Sequence, residues 1–157
     1  DIAVLSLPLQ ISPLHPLLLT SAKAFVSQDI YLLGFPYEYD SYEEEKMNNG
    51  FPFPLVKKGI ISKFLFGQNG LEHLVIDGHN NPGFSGGPVF YSIAEEQNVF
   101  AVAGIISGYQ WEPYKIFDKD GNETDLTYQY NTGIIFAPSS LKALEIIQKN
   151  PIGFLIK

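Results

Sequence analysis

The sequence predicts an all-β domain that ends in one short helix. Short β-prone runs recur along the chain, and turn signals rich in Gly, Asn and Asp separate them. After Pro138, by contrast, Leu141, Leu144 and Ile147 repeat at helical spacing behind a serine that can cap a helix. With 157 residues, of which 45% are hydrophobic and 17% charged, the chain suits one domain with a sizeable core.

The predicted strands follow one another as hairpins along most of the chain. Each is an apolar or alternating run bounded by turn residues. They cover residues 29–35, 55–66, 71–76, 88–91, 99–107, 111–118, 124–130 and 133–136. Residues 119–122 contain Asp-Gly, which suits the positive φ of a tight turn, and the acidic residues around it lack the spacing of a calcium loop. We therefore interpret this segment as a hairpin turn and expect no metal or cofactor.

Composition and charge narrow the classes of partner. The net charge of -7 argues against nucleic acid or an anionic membrane, and no run approaches the length of a membrane span. The absence of cysteine excludes disulfides but leaves the compartment open, since both a cytoplasmic and a periplasmic protein would fit. Five acidic residues between 38 and 45 predict a solvated loop, or alternatively a rim that prefers basic substrates.

The segment most indicative of a catalytic function is residues 80–88, Asn-Asn-Pro-Gly-Phe-Ser-Gly-Gly-Pro. A segment with one serine, three glycines and two prolines is not expected to form a helix or a regular strand, because glycine and proline disfavour both. We expect a rigid turn that holds the Ser85 hydroxyl out of the backbone, with N–H groups beside it. Acyl transfer needs this combination of a nucleophile and donors for the oxygen that becomes negative.

The pattern G-x-S-x-G around Ser85 also occurs in α/β-hydrolases, where the serine leads into a helix and the acid and histidine follow it. Here the β-prone residues 88–91 follow the serine, and all three histidines, His15, His73 and His79, precede it. Neither feature fits an α/β-hydrolase, so that class is excluded.

Residues 81–89, Asn-Pro-Gly-Phe-Ser-Gly-Gly-Pro-Val, resemble the nucleophile motif of the trypsin/chymotrypsin-like serine proteases, most closely that of the cysteine-free bacterial branch of Deg type. Residues 1–5 resemble the strand that carries this family's catalytic aspartate. Further segments in the family's order are 31–36, 59–62, 104–107 and 133–136. The resemblance implies a double β-barrel, of which mainly the C-terminal barrel is present, and a trypsin-like serine endopeptidase that hydrolyses a protein or peptide substrate.

The same resemblance implies roles for individual residues. Ser85 would be the nucleophile, the N–H groups of Gly83 and Ser85 would form the oxyanion hole, and Asp1 would orient a histidine. Ser107 matches the serine that supports the aspartate, and Ser107, Gly108 and Tyr109 match the segment that pairs with extended substrate. His79 matches the position at the base of the primary pocket, where Tyr109 would narrow the opening.

The family order of histidine, aspartate and serine has a consequence for domain organisation. If Asp1 is the aspartate, residues 1–5 are the last strand of a first barrel that is otherwise missing, and residues 6–28 are the inter-barrel connector. Residues 29–157 are then the second barrel with its helix. His15 lies in the connector and is expected at the surface, so the catalytic histidine is expected upstream. This chain alone should be nearly inert.

Two alternatives to a protease remain. A pseudoprotease would use the same fold to bind peptides or proteins without cleaving them, and the histidine outside this sequence decides between the two. A small interaction barrel unrelated to proteases would leave the glycine-serine turn without a function. One departure from secreted relatives is Phe84, since they carry an aspartate there that pairs with a newly cut N-terminus.

Overall fold

The computed structural model describes residues 2–9, 17–36, 52–68, 70–93 and 99–152. In this part of the chain there are eight strands and one helix. The strands are β1 (Leu18–Leu19), β2 (Asp29–Gly34), β3 (Leu55–Gly67), β4 (Gly70–Asp77), β5 (Pro88–Ser92), β6 (Phe100–Ile105), β7 (Gly108–Phe117) and β8 (Glu123–Pro138), and the helix is α1 (Ser140–Lys149). The all-β class with a C-terminal helix is therefore confirmed.

The strands close into a barrel. Strand β2 pairs antiparallel with both β3 and β5, β3 with β4, β4 with β8, and β5 with β6. A β-bridge between Gly104 in β6 and Ser139 just after β8 joins the two ends of this order. The Ser140 hydroxyl strengthens the joint by donating to the Val102 carbonyl at 2.6 Å.

The barrel interior is the hydrophobic core. Strand residues alternate between inside and outside, as in β2, where Ile30 and Leu32 are fully buried and their neighbours are not. The other strands contribute the remaining buried side chains, which include Ile61, Leu74, Ile76, Val89, Tyr91, Ala101, Ala103, Ile135 and Ala137. Phe84 joins this core from a loop rather than from a strand, which anchors that loop to the barrel.

The distal halves of β7 and β8 extend away from the core as an exposed hairpin. Residues 110–117 are all exposed, and the turn at 118–122 is held by the Asp118 carboxylate. This carboxylate accepts the N–H groups of Asp120 at 2.9 Å and Asn122 at 2.8 Å. These hydrogen bonds lower the pKa of Asp118, with the Asn122 backbone as the largest cause. The predicted hairpin turn is confirmed.

Residues 2–5 pair with no strand among the described residues, and their assignment to the last strand of a first barrel stays a prediction. Two features differ from the sequence-based expectations. Strand β1 pairs parallel with β6 inside the expected connector. Segments 124–130 and 133–136, expected as separate strands, are one strand, β8, with a register shift between them.

The helix α1 forms where it was expected. Ser139 is its N-cap, and the side chain of this residue accepts the Leu141 N–H at 3.3 Å. Asn150 closes the other end by donating its N–H to the Ile146 carbonyl. No helix among the described residues is long and apolar enough to cross a membrane.

Candidate functional site

The glycine-rich loop connects β4 to β5 and is fixed by backbone hydrogen bonds. The Gly87 N–H donates to the Phe84 carbonyl at 2.9 Å, which closes a tight turn around Ser85. The Gly86 N–H donates to the Ile106 carbonyl at 2.7 Å, and the Ile106 N–H donates back to Gly87 at 2.8 Å. The loop is thus bonded directly to the segment that joins β6 to β7.

Glycine is required at position 83 for two reasons. Its φ of 99° lies in the region that L side chains rarely adopt. A Cβ atom there would also lie 2.6 Å from both the Phe35 carbonyl oxygen and the Pro36 Cα. The loop therefore rests directly on the backbone that follows β2, where the Phe35 N–H donates to the Gly83 carbonyl at 3.0 Å.

Phe84 and Ser85 face opposite ways. The Phe84 side chain is fully buried, while Ser85 is exposed. The ring of Phe84 lies against Gly34, where a Cβ atom would come within 2.7 Å of it. The residue before the serine is therefore a hydrophobic anchor that holds the serine at the surface.

Two N–H groups of the loop have no hydrogen-bond acceptor within the described part of the chain. The N–H groups of Phe84, Gly86 and Gly87 all donate to backbone carbonyls. Those of Gly83 and Ser85 donate to none of the described residues. Ser85 thus lies in a tight turn with two N–H groups that have no described acceptor, its own and that of Gly83.

Ser85 lines a cleft of about 430 Å³. Its walls are Ile2, Ala3, Ser85, Gly86, Ile105, Ile106, Ser107 and Ala143. Asp1, the predicted triad aspartate, lies outside the described residues. Ile2 and Ala3, which follow Asp1 in the chain, line the same cleft as Ser85 and Ser107.

The segment Ser107–Tyr109 runs along the start of β7. Both the N–H and the hydroxyl of Ser107 donate to the Phe136 carbonyl at 2.9 Å. Gly108 and Tyr109 pair with Phe136 and Ile135 of β8. Strand β7 is the last in the sheet order, so its other edge pairs with no strand in the described part of the chain. An extended peptide can add to such an edge.

The described histidines stand apart from the cleft. His73 lies in β4 opposite Pro138, and His79 is an exposed residue at the start of the loop. Neither lines the cleft that contains Ser85. His15 and the acidic residues 38–45 lie outside the described residues. In the described part of the chain, no group of three or more His, Asp and Glu residues could hold a metal ion.

Two residues that contact the loop, Lys57 and Asn131, were not singled out from the sequence. Lys57 in β3 donates to the His79 carbonyl at 3.0 Å and to the Asn81 side chain. Asn131 in β8 donates to the carbonyl of the buried Asn80 at 2.7 Å. In a sequence, a lysine in an alternating strand predicts a solvent-facing side chain, and an asparagine predicts a turn. The neighbouring residues therefore do not predict that Lys57 or Asn131 contacts the loop.

Comparison with known protein families agrees with this geometry. A family model described as a trypsin-like peptidase domain matches residues 1–102, which include the loop and Ser85. The chain belongs to this family of trypsin-like peptidases. A search of curated proteins found no significant match.

Proposed function

We propose that this chain carries the nucleophile of a trypsin-like serine endopeptidase. The observation that supports the proposal most directly is the exposed Ser85 in a tight turn where the N–H groups of Gly83 and Ser85 have no described acceptor. Family membership supports it independently. Within the family, the lack of cysteine fits the bacterial Deg-type branch.

The proposed reaction has two stages. The Ser85 Oγ attacks the substrate carbonyl carbon while a histidine accepts the hydroxyl proton, and the Gly83 and Ser85 N–H groups stabilise the oxyanion. The histidine then donates its proton to the leaving amine, which breaks the peptide bond and leaves an ester on Ser85. Water, deprotonated by the same histidine, hydrolyses that ester and releases the second product.

Asp1 and the histidine complete the proposed triad. Ile2 and Ala3 line the cleft of Ser85, which supports a position for Asp1 near it. No described histidine lines the cleft, so we assign the base to an upstream first barrel, with residues 1–5 as its last strand and residues 6–28 as the connector. Exposed apolar side chains such as Leu5, Leu7 and Leu9 fit a surface that such a barrel covers.

The proposed substrate is an extended polypeptide that pairs with Ser107, Gly108 and Tyr109. The position of this segment on the last strand of the sheet supports pairing through the main chain. Tyr109 would narrow the primary pocket, and His79 would contribute to its polarity. The buried Phe84 offers no carboxylate to a new N-terminus, so activation would not use that pairing.

The pseudoprotease is the second candidate, and the absence of a described histidine from the cleft is the observation that favours it. Such a module would bind an extended peptide on the same strand edge without cleaving it.

A fluorophosphonate probe separates the two, because it phosphonylates only an activated serine. In the natural full-length protein we expect labelling at Ser85, with peptide hydrolysis that Ser85→Ala lowers by about 10⁴-fold or more. Ser62→Ala, which changes an exposed serine in β3, serves as the matched control and should keep both activities. A protein that binds peptide yet is neither labelled nor active would be a pseudoprotease.

A further inference from the structure

Lys57 contacts the loop of Ser85 at three points. From β3 its Nζ donates to the His79 carbonyl at 3.0 Å and to Asn81 Oδ1. The same Nζ lies 4.9 Å from the centroid of the Phe84 ring, at cation–π distance. The contacted residues flank Gly83, two of them before it in the chain and one after it.

The next residue in β3 shows that this placement is specific. Lys58 forms an ion pair with Asp29 at 2.7 Å, and 57% of its side chain is exposed. Consecutive residues of a strand point to opposite faces, so only the first of these two lysines meets the loop. Lys58 is therefore a matched comparison for Lys57.

The surroundings of Lys57 are unusual for a cation that serves stability. Burial lowers the pKa of Lys57 below its ordinary value, because desolvation penalises the charged form. Among the described residues its contacts are a carbonyl, an amide oxygen and a ring, not a carboxylate. The interactions that offset this desolvation are two hydrogen bonds and a ring contact, and all three are made to the loop. These contacts restrain the geometry of the loop.

Gly83 is the position that needs this restraint. Without a Cβ atom, glycine has several accessible conformations, and rotation of the peptide between Pro82 and Gly83 would change the direction of the Gly83 N–H. The Gly83 carbonyl is already held by the Phe35 N–H at 3.0 Å. Lys57 supplies the restraint on the preceding side, through His79 and Asn81.

We propose that Lys57 is a positioning residue that keeps the Gly83 N–H aimed at the oxygen of the reacting carbonyl. This inference rests on the proposed peptidase function. The ammonium touches neither the substrate nor the reacting atoms, and it acts by fixing the loop on both sides of the donor. Its loss should therefore weaken transition-state stabilisation while leaving substrate binding along β7 intact.

The test compares Lys57→Met, Lys57→Arg and Lys58→Met in the natural full-length protein. We expect Lys57→Met to lower kcat by about 10- to 100-fold and to weaken inhibition by a peptide boronate by a similar factor, since the boronate adduct uses the same donors. The KM and the affinity for the cleaved product peptide should stay within about twofold. Lys57→Arg should restore most of kcat, and Lys58→Met should leave it unchanged.

Unchanged kcat in Lys57→Met, or an equal loss in Lys58→Met, would overturn the proposal. So would a loss of product-peptide affinity as large as the loss of kcat, because the lysine would then shape the substrate site instead.

A second readout does not need catalysis. Amide hydrogen exchange over residues 78–87 should be faster in Lys57→Met and unchanged in Lys58→Met. If the wild-type protein resists the fluorophosphonate, the peptidase function fails, and with it the catalytic role of Lys57. If labelling succeeds but exchange does not change, only the role of Lys57 fails.

Discussion

Replacing Gly83 by alanine perturbs the proposed oxyanion donor most directly. The new Cβ atom would lie 2.6 Å from the Phe35 carbonyl oxygen and from the Pro36 Cα. Carbon atoms pack at about 3.5–4.0 Å, so the two backbone segments must separate by about 1 Å. A φ of 99° adds strain of about 1–2 kcal/mol for a residue with a side chain.

A displacement of about 1 Å at a donor is expected to lower kcat/KM by about 10²- to 10³-fold. Gly121→Ala is the matched control, because Gly121 has a φ of 85° and a Cβ atom there would meet nothing within 4 Å. It should lose about 1–2 kcal/mol of unfolding free energy and keep full activity. Denaturant unfolding and peptide hydrolysis measure the two quantities.

The reasoning is refuted if Gly83→Ala keeps kcat/KM within about threefold of wild type while it unfolds like Gly121→Ala. The contact with Phe35 and Pro36 would then have no influence on the donor, and the Gly83 N–H would not stabilise the transition state.

Two further predictions concern tyrosines of the barrel. Burial raises the pKa of the Tyr91 hydroxyl above 10.0, although the Lys23 backbone and charge oppose this shift. As the pH rises, Tyr91 therefore loses its proton in the unfolded chain at a lower pH than in the folded protein. The contribution of Tyr91 to the unfolding free energy is fully present below about pH 10 and falls as the pH rises above this value. Tyr91→Phe should flatten the fall in unfolding free energy between about pH 9 and 11, and an unchanged slope would contradict this. Tyr109→Ala should widen the proposed pocket and raise kcat/KM for large over small side chains by about 10-fold, measured on peptides that differ only there; an unchanged ratio would exclude Tyr109 from the pocket.

Much of the barrel could be predicted because its signals are local. Strand β2 follows from an apolar run bounded by Gly34 and Pro36, and α1 follows from a serine cap and helical spacing. The loop of Ser85 was recognisable because the backbone conformations it needs demand glycine, and glycine is visible in the sequence.

Other features depend on distant residues and left no local signal. Strand β1 is two residues long and pairs with Ala101 and Val102, more than eighty positions away. The interruption expected near Gly133 is a register shift, because the Asn131 side chain accepts the Gly133 N–H and β8 continues past it. The contacts of Lys57 likewise could not be predicted, because they form only when β3 and the loop of Ser85 are brought together in the folded protein.

A crystal structure of the full-length protein after fluorophosphonate labelling would test the central claim most directly. We predict a phosphorus atom bonded to the Ser85 Oγ, with its phosphoryl oxygen about 2.7–3.1 Å from the N atoms of Gly83 and Ser85. A phosphoryl oxygen turned toward solvent, or a label on another residue, would contradict the account.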